Sequence, residues 1–104
     1  MPIEYGDETL RRLAEDPDFH PRPWSTDAVG AYRRKVQLID AAVDERDLRA
    51  MRGLRLEQLP DDREGTCSIR LSDHSRLILK FKTEEDPVTV ILEIVDLPLR
   101  EIPT

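Results

Sequence analysis

The chain has 104 residues, of which 37% are charged, and a formal net charge of −6 at pH 7. That length supports one hydrophobic core and leaves too little chain for a second, so a single domain over 1–104 is expected. The acidic excess argues against broad non-specific nucleic-acid binding, which rests on phosphate neutralisation by Lys and Arg, but it does not exclude a local basic site.

One cysteine, Cys67, permits no intramolecular disulfide, and no Cys/His spacing matches a zinc site. Its place on the inward side of a strand reads as a small buried hydrophobe. The opening Met1-Pro2-Ile3-Glu4-Tyr5 has neither the basic nor the apolar region of a secretory leader. No apolar run reaches the roughly 20 residues that span a bilayer. A cytoplasmic chain without membrane attachment is the expectation.

Ile3-Glu4-Tyr5 is a short extended segment closed by Gly6. Asp7 then fits a helix N-cap, with Glu8 in the first turn where it favours the helix dipole. Leu10, Leu13 and Ala14 form a helical face that Pro17 ends. The stretch from Asp16 to Pro23 holds Pro17, Pro21 and Pro23 and must be a stiff, non-helical connection. His20 within it reads as a loop histidine.

A second helix is expected from a Ser25 cap to about Ala42, with Trp24 and Val29 as a hydrophobic staple. Val29, Tyr32, Val36 and Ile39 form one apolar stripe, the pattern of a face packed on a sheet. Arg33, Arg34 and Lys35 lie mostly off it, as a solvated face or a contact for phosphate or an acidic partner. Asp44 caps a shorter third helix through about Arg52, with Gly53 as its C′ residue. Leu54 to Leu59 is ambiguous between a strand and an irregular turn, and Pro60-Asp61-Asp62 is a turn.

The next stretch is a hairpin. Cys67, Ile69 and Leu71, then Leu77, Leu79 and Phe81, alternate with polar and charged residues, the period of a sheet with one face on a core. The free face then carries Arg70, Arg76, Lys80 and Lys82, and the hairpin register sets Arg70 opposite Arg76. Like charges placed so are mildly destabilising, so the face either meets an anionic ligand or is solvated and tolerates the repulsion. Val88 to Val95 is apolar on nearly both faces, as in a central strand covered on each side. Helices first and a strand meander afterwards give an α+β domain, its helices on one face of an antiparallel sheet.

Several stretches together resemble one family. They are Ala31 to Ala42, Asp44 to Ala50, Leu54 to Leu59, Asp62-Arg63-Glu64-Gly65, Ser68 to Leu71 with Arg76-Leu77-Ile78, and Glu93-Ile94-Val95-Asp96. In this order, from about Trp24 to Asp96, they resemble the HigB branch of the RelE/ParE toxin superfamily. The resemblance implies a RelE-like fold and a bacterial type II toxin that cleaves mRNA on the translating ribosome, with no cofactor. It also implies a HigA-like helix-turn-helix antitoxin, through which alone operator DNA would be met. In such a site the RNA 2′-OH attacks the adjacent phosphate, cationic groups stabilise the developing charge, and an acid or base moves protons.

By this resemblance Arg63, Arg70 and Arg76 match the family's cationic residues. Glu57 lies where members carry Glu or His, and Asp96 matches the acid of an Asp-Tyr-His ending. The chain departs from the pattern in places. That ending stands here as Asp96-Leu97-Pro98, the usual Gly-Asp-Arg turn as Asp61-Asp62-Arg63 after Pro60, and the aromatic before the strand arginine as Ser75. His74 is either a substitute proton-transfer residue or a turn residue. The alternative expectation is therefore a RelE-fold binding protein with reduced or lost catalysis that complexes an antitoxin and co-represses its operon. A gyrase inhibitor of the ParE kind is a third.

Overall fold

The computed structural model describes residues 1–20, 24–58, 66–82 and 85–96, and of Asp96 the backbone only. Arg63, Leu97 and Pro98 lie outside the described residues.

The expected caps set the helices. Asp7 accepts from the Leu10 N–H at 2.8 Å and opens α1 (Glu8–Glu15). Ser25 accepts from the Ala28 N–H at 3.1 Å and opens α2 (Thr26–Ala41). The α2 stripe of Val29, Tyr32, Val36 and Ile39 is buried together with Ala28 and Ala31.

Asp44 caps α3, which is shorter than its sequence pattern, ending at Arg49 (Glu45–Arg49). A single 3-10 turn follows at Arg52–Leu54 and contains Gly53, so Gly53 is not the residue that closes α3. The left-handed conformation falls instead on Arg55, with φ 54° and ψ 46°. Leu48 of α3 and Leu54 of the 3-10 turn are both buried, so the chain enters the left-handed residue with Leu54 packed in the core.

The strands are β1 (Ile3–Tyr5), β2 (Glu57–Gln58), β3 (Thr66–Arg70), β4 (Ser75–Lys82) and β5 (Val88–Asp96), in sheet order β1-β5-β4-β3-β2. β2 through β5 pair antiparallel, whereas β1 pairs parallel to β5, so the sheet is mixed. α1, α2 and α3 follow β1 in the chain and lead to β2 at the opposite edge of the sheet.

β5 lies inside the sheet between β1 and β4, but the cover expected on each side is found on one only: Val88, Val90 and Val95, on the face away from the helices, are partly exposed. Leu79 pairs with Ile91 and Ile78 with Glu93, so the ladder passes over Leu92 in a bulge. The bulge lets Ile91 and Ile94, three positions apart, both face the helices opposite Leu79 and Leu77, which strict alternation would forbid. Gly6 sits beside this point. Its N–H donates to Ile91 O at 2.7 Å, and a Cβ there would lie 3.0 Å from that oxygen and 3.1 Å from Leu92 O.

The core lies between the helices and this inner face. Leu10, Leu13, Tyr32, Val36 and Ile39 pack with Ile69, Leu77, Leu79 and Ile91. Cys67 is buried on the same face. Two polar ties reinforce it. The Tyr32 hydroxyl donates to Leu10 O at 2.8 Å, and burial above all pushes its pKa well above the ordinary phenol value. Arg33 donates to Leu13 O at 2.9 Å, Asp16 O at 3.0 Å and Phe19 O at 2.8 Å, tying down the carbonyls where α1 ends. Arg33 thus leaves the solvated basic triplet of the sequence reading and acts as a structural clasp. Among the described residues, no helix is long and apolar enough to cross a membrane.

Candidate functional site: the outer face of the sheet

Residues paired across antiparallel strands share a face, so the register alone lays out the outer surface. Arg70 and Arg76 are direct partners, and Arg76 also pairs with Val95. The next rung runs Glu57, Ser68, Ile78, Glu93. Thr66, Lys80, Val90 and Glu4 form a third, and Lys82 with Val88 a fourth. All four expected hairpin cations therefore occupy one face. With a rise of about 3.3 Å per residue, Arg76 and Lys80 are roughly 13 Å apart along β4.

The cations differ in what they meet. Arg76 Nη1 lies 3.5 Å from the Ser68 hydroxyl, to which it donates, and 3.9 Å from Glu57 Oε1. Ser68 is 1% exposed, covered on the outer face by its neighbours, while the Glu57 side chain is 62% exposed. This arrangement brings Arg76 and Glu57, candidates on different strands, to one place. Arg70 Nη2 binds Asp73 Oδ1 at 2.6 Å, and Lys82 Nζ lies 3.3 Å from Glu4 Oε1. Lys80 has no ion pair among the described residues.

Two further candidates lie at the turn end of the hairpin. Asp96 ends β5, its backbone in register with Ser75. His74 is exposed at the β3–β4 turn, where its N–H donates to Ser72 Oγ at 3.2 Å. Arg63, in the segment leading to β3, lies outside the described residues. Two contributors went unnoticed in the sequence, Ser68 beneath Arg76 and Asp73 on Arg70. Ser68 alternates onto the polar face and could have been found by extending the Arg70–Arg76 register by two residues. Asp73 reads as an ordinary turn residue, and only its side-chain contact gives it another role.

Among the described residues no three His, Cys, Asp or Glu side chains converge as metal ligands would. The face is a strip that interleaves its four cations with the carboxylates of Glu57, Glu93 and Glu4 over an aliphatic floor of Ile78, Val90 and Val95, all partly exposed. Chemically it can hold an extended polyanion through guanidinium and ammonium groups, with a carboxylate beside one of them.

Two comparisons bear on this geometry. The profile of the HigB-like toxin family, described as the RelE-like toxin of type II toxin-antitoxin system HigB, matches residues 3–96. Toxin HigB-1 of Vibrio cholerae serotype O1 is 37% identical over 81 residues, which cover 78% of this chain and 84% of that protein. The matched span runs from the first residue of β1 to the last of β5, and so contains every described candidate on the outer face. The chain belongs to the HigB-like family of RelE-like toxins from type II toxin–antitoxin systems.

Proposed function

We propose that this toxin is a ribosome-dependent mRNA endoribonuclease that works without a metal and is neutralised by a HigA-like helix-turn-helix antitoxin. The observation that carries the reading is the Arg70–Arg76 rung. Two guanidinium groups set opposite each other are unfavourable for the sheet alone, and a phosphate between them would reverse the sign.

In the proposed reaction the RNA 2′-oxygen bonds to the adjacent phosphorus, its proton passes to a base, and the 5′-oxygen of the next nucleotide leaves with a proton. Arg76, braced by Ser68, stabilises charge on the non-bridging oxygens, and Arg70 assists from β3. Glu57, 3.9 Å from Arg76, accepts the 2′-OH proton or orients that hydroxyl. His74, at the Ser75 end of the hairpin, supplies the proton for the leaving group. Lys80, Lys82 and Arg63 hold the flanking backbone.

Induced expression should then arrest growth and translation, with cleaved mRNA on ribosomes, and Arg76→Ala should abolish the arrest. Normal growth at high soluble expression would count decisively against it.

A second reading, a binding protein with a decayed site that retains its antitoxin and co-represses the operon, draws on one observation. Arg70, Arg76 and Lys82 each already face a carboxylate, from Asp73, Glu57 and Glu4, which weakens the strip for RNA. A tight complex with the antitoxin, without mRNA cleavage on translating ribosomes once the antitoxin is removed, would favour it.

A further inference from the structure

The β3–β4 turn is built without the Asp73 carboxylate. The Leu71 and Ser72 N–H groups donate to Ser75 O at 2.9 and 3.2 Å. The Ser72 and Ser75 hydroxyls are 2.6 Å apart, and the His74 N–H donates to Ser72 Oγ. These bonds close the turn from its two serines. The Asp73 side chain, 79% exposed, instead reaches back to Arg70 at 2.6 Å. Arg70 belongs to the rung on which the proposed RNA site depends, and an anion that the protein itself supplies already occupies it.

We propose that Asp73 is a built-in competitor for the RNA phosphate at Arg70, holding the guanidinium until a phosphate displaces it. The inference rests on the reading of the outer face as an RNA site. It makes Asp73 a positioning residue that acts through Arg70 and sets the affinity of the strip. Displacement is within reach because an exposed pair of this kind is weak. A phosphodiester chain also brings its neighbouring charges to Arg76 and Lys80, which a single carboxylate cannot. In a chain of net charge −6, such a competitor limits binding to RNA that is held in place by something else.

The test is binding of a labelled single-stranded oligoribonucleotide to the full chain, titrated at several salt concentrations. Asp73→Asn should bind roughly 1.4- to fivefold tighter at low salt, the measured range for exposed pairs. It should also steepen the salt dependence by up to about 0.7 in the logarithmic slope, one further phosphate contact on a single strand. Arg70→Ala should cancel both gains in the double variant and cost less in the wild type than in Asp73→Asn. Asp18→Asn makes the same change in net charge on the helical side and should give no gain. Asp73→Ser serves as a second variant should the asparagine disturb the turn.

Unchanged affinity and slope for both Asp73 variants would overturn the proposal, as would an equal gain from Asp18→Asn. Those results leave the RNA site standing if Arg76→Ala still weakens binding. Equal binding by wild type and Arg76→Ala would instead remove the RNA site itself, and the role of Asp73 with it.

Discussion

Arg70 and Arg76 are direct cross-strand partners, and each also meets a carboxylate, Asp73 at 2.6 Å for Arg70 and Glu57 at 3.9 Å for Arg76. A like-charged rung costs a sheet roughly 0.2–1 kcal/mol, and exposed ion pairs return about as much. Arg76→Gln should therefore leave stability within about 0.5 kcal/mol while cleavage falls on the order of 10²–10³-fold. Thermal melts run beside the growth assay check it. A variant that loses activity only because it unfolds would contradict the prediction.

Glu57 separates base chemistry from simple bracing of Arg76. As the base, its replacement by Gln should lower cleavage by roughly 10²–10⁴-fold, whereas Glu57→His, still able to take a proton, should recover much of the loss. Single-turnover cleavage on ribosomes as a function of pH distinguishes the two. Equal rates for Gln and His variants would assign Glu57 to bracing alone.

Arg33 and Arg34 are neighbours in sequence with opposite structural weight. Arg33 gives three hydrogen bonds to carbonyls near the end of α1, and Arg34 is exposed. Arg33→Ala should destabilise by about 2 kcal/mol, since bonds from a charged donor are lost and the partner carbonyls are left without them. Arg34→Ala should stay within about 0.5 kcal/mol. Urea denaturation of both variants gives the comparison directly.

Tyr32 predicts an alkaline limit. Its folded pKa lies above the unfolded value of 10.0, chiefly through burial, so the protonated phenol is the form the fold favours. That contribution is complete below the unfolded pKa and is lost as pH rises above it. The slope there approaches 1.4 kcal/mol per pH unit, the value for one proton. Tyr32→Phe should cost about 1 kcal/mol at neutral pH, from the lost bond to Leu10 O, yet show a shallower decline above about pH 10. Tyr5, also raised by burial, remains in both proteins, so the difference between the two curves isolates Tyr32.

The ending Asp96-Leu97-Pro98 offers a gain-of-function test. If only the proton-transfer groups have been lost, the double substitution Leu97→Tyr with Pro98→His should raise toxicity, within the roughly 10²–10⁴-fold that a general acid or base contributes. Unchanged growth with soluble protein would show that the loss extends beyond those two positions.

What the sequence determined on its own was whatever depends on near neighbours. Asp7, Ser25 and Asp44 announce three helix starts because a cap bonds only two or three residues ahead. The alternation from Cys67 to Lys82 sorts the hairpin into a core face and a cationic face, and a short turn sets Arg70 opposite Arg76. What only the tertiary structure decided depends on residues far apart in the chain. The parallel pairing of β1, the bulge at Leu92 and the fate of Arg33 follow from packing between α1, α2 and β5, and no local pattern encodes them. The same holds for the site. Arg76 of β4 reaches Ser68 of β3 and Glu57 of β2 because those three strands are neighbours in the sheet, and Arg70 is held by a turn residue that local sequence marks as ordinary. Hydrophobic period and caps are local signals, whereas the partner of a charge is set by the fold that brings it near.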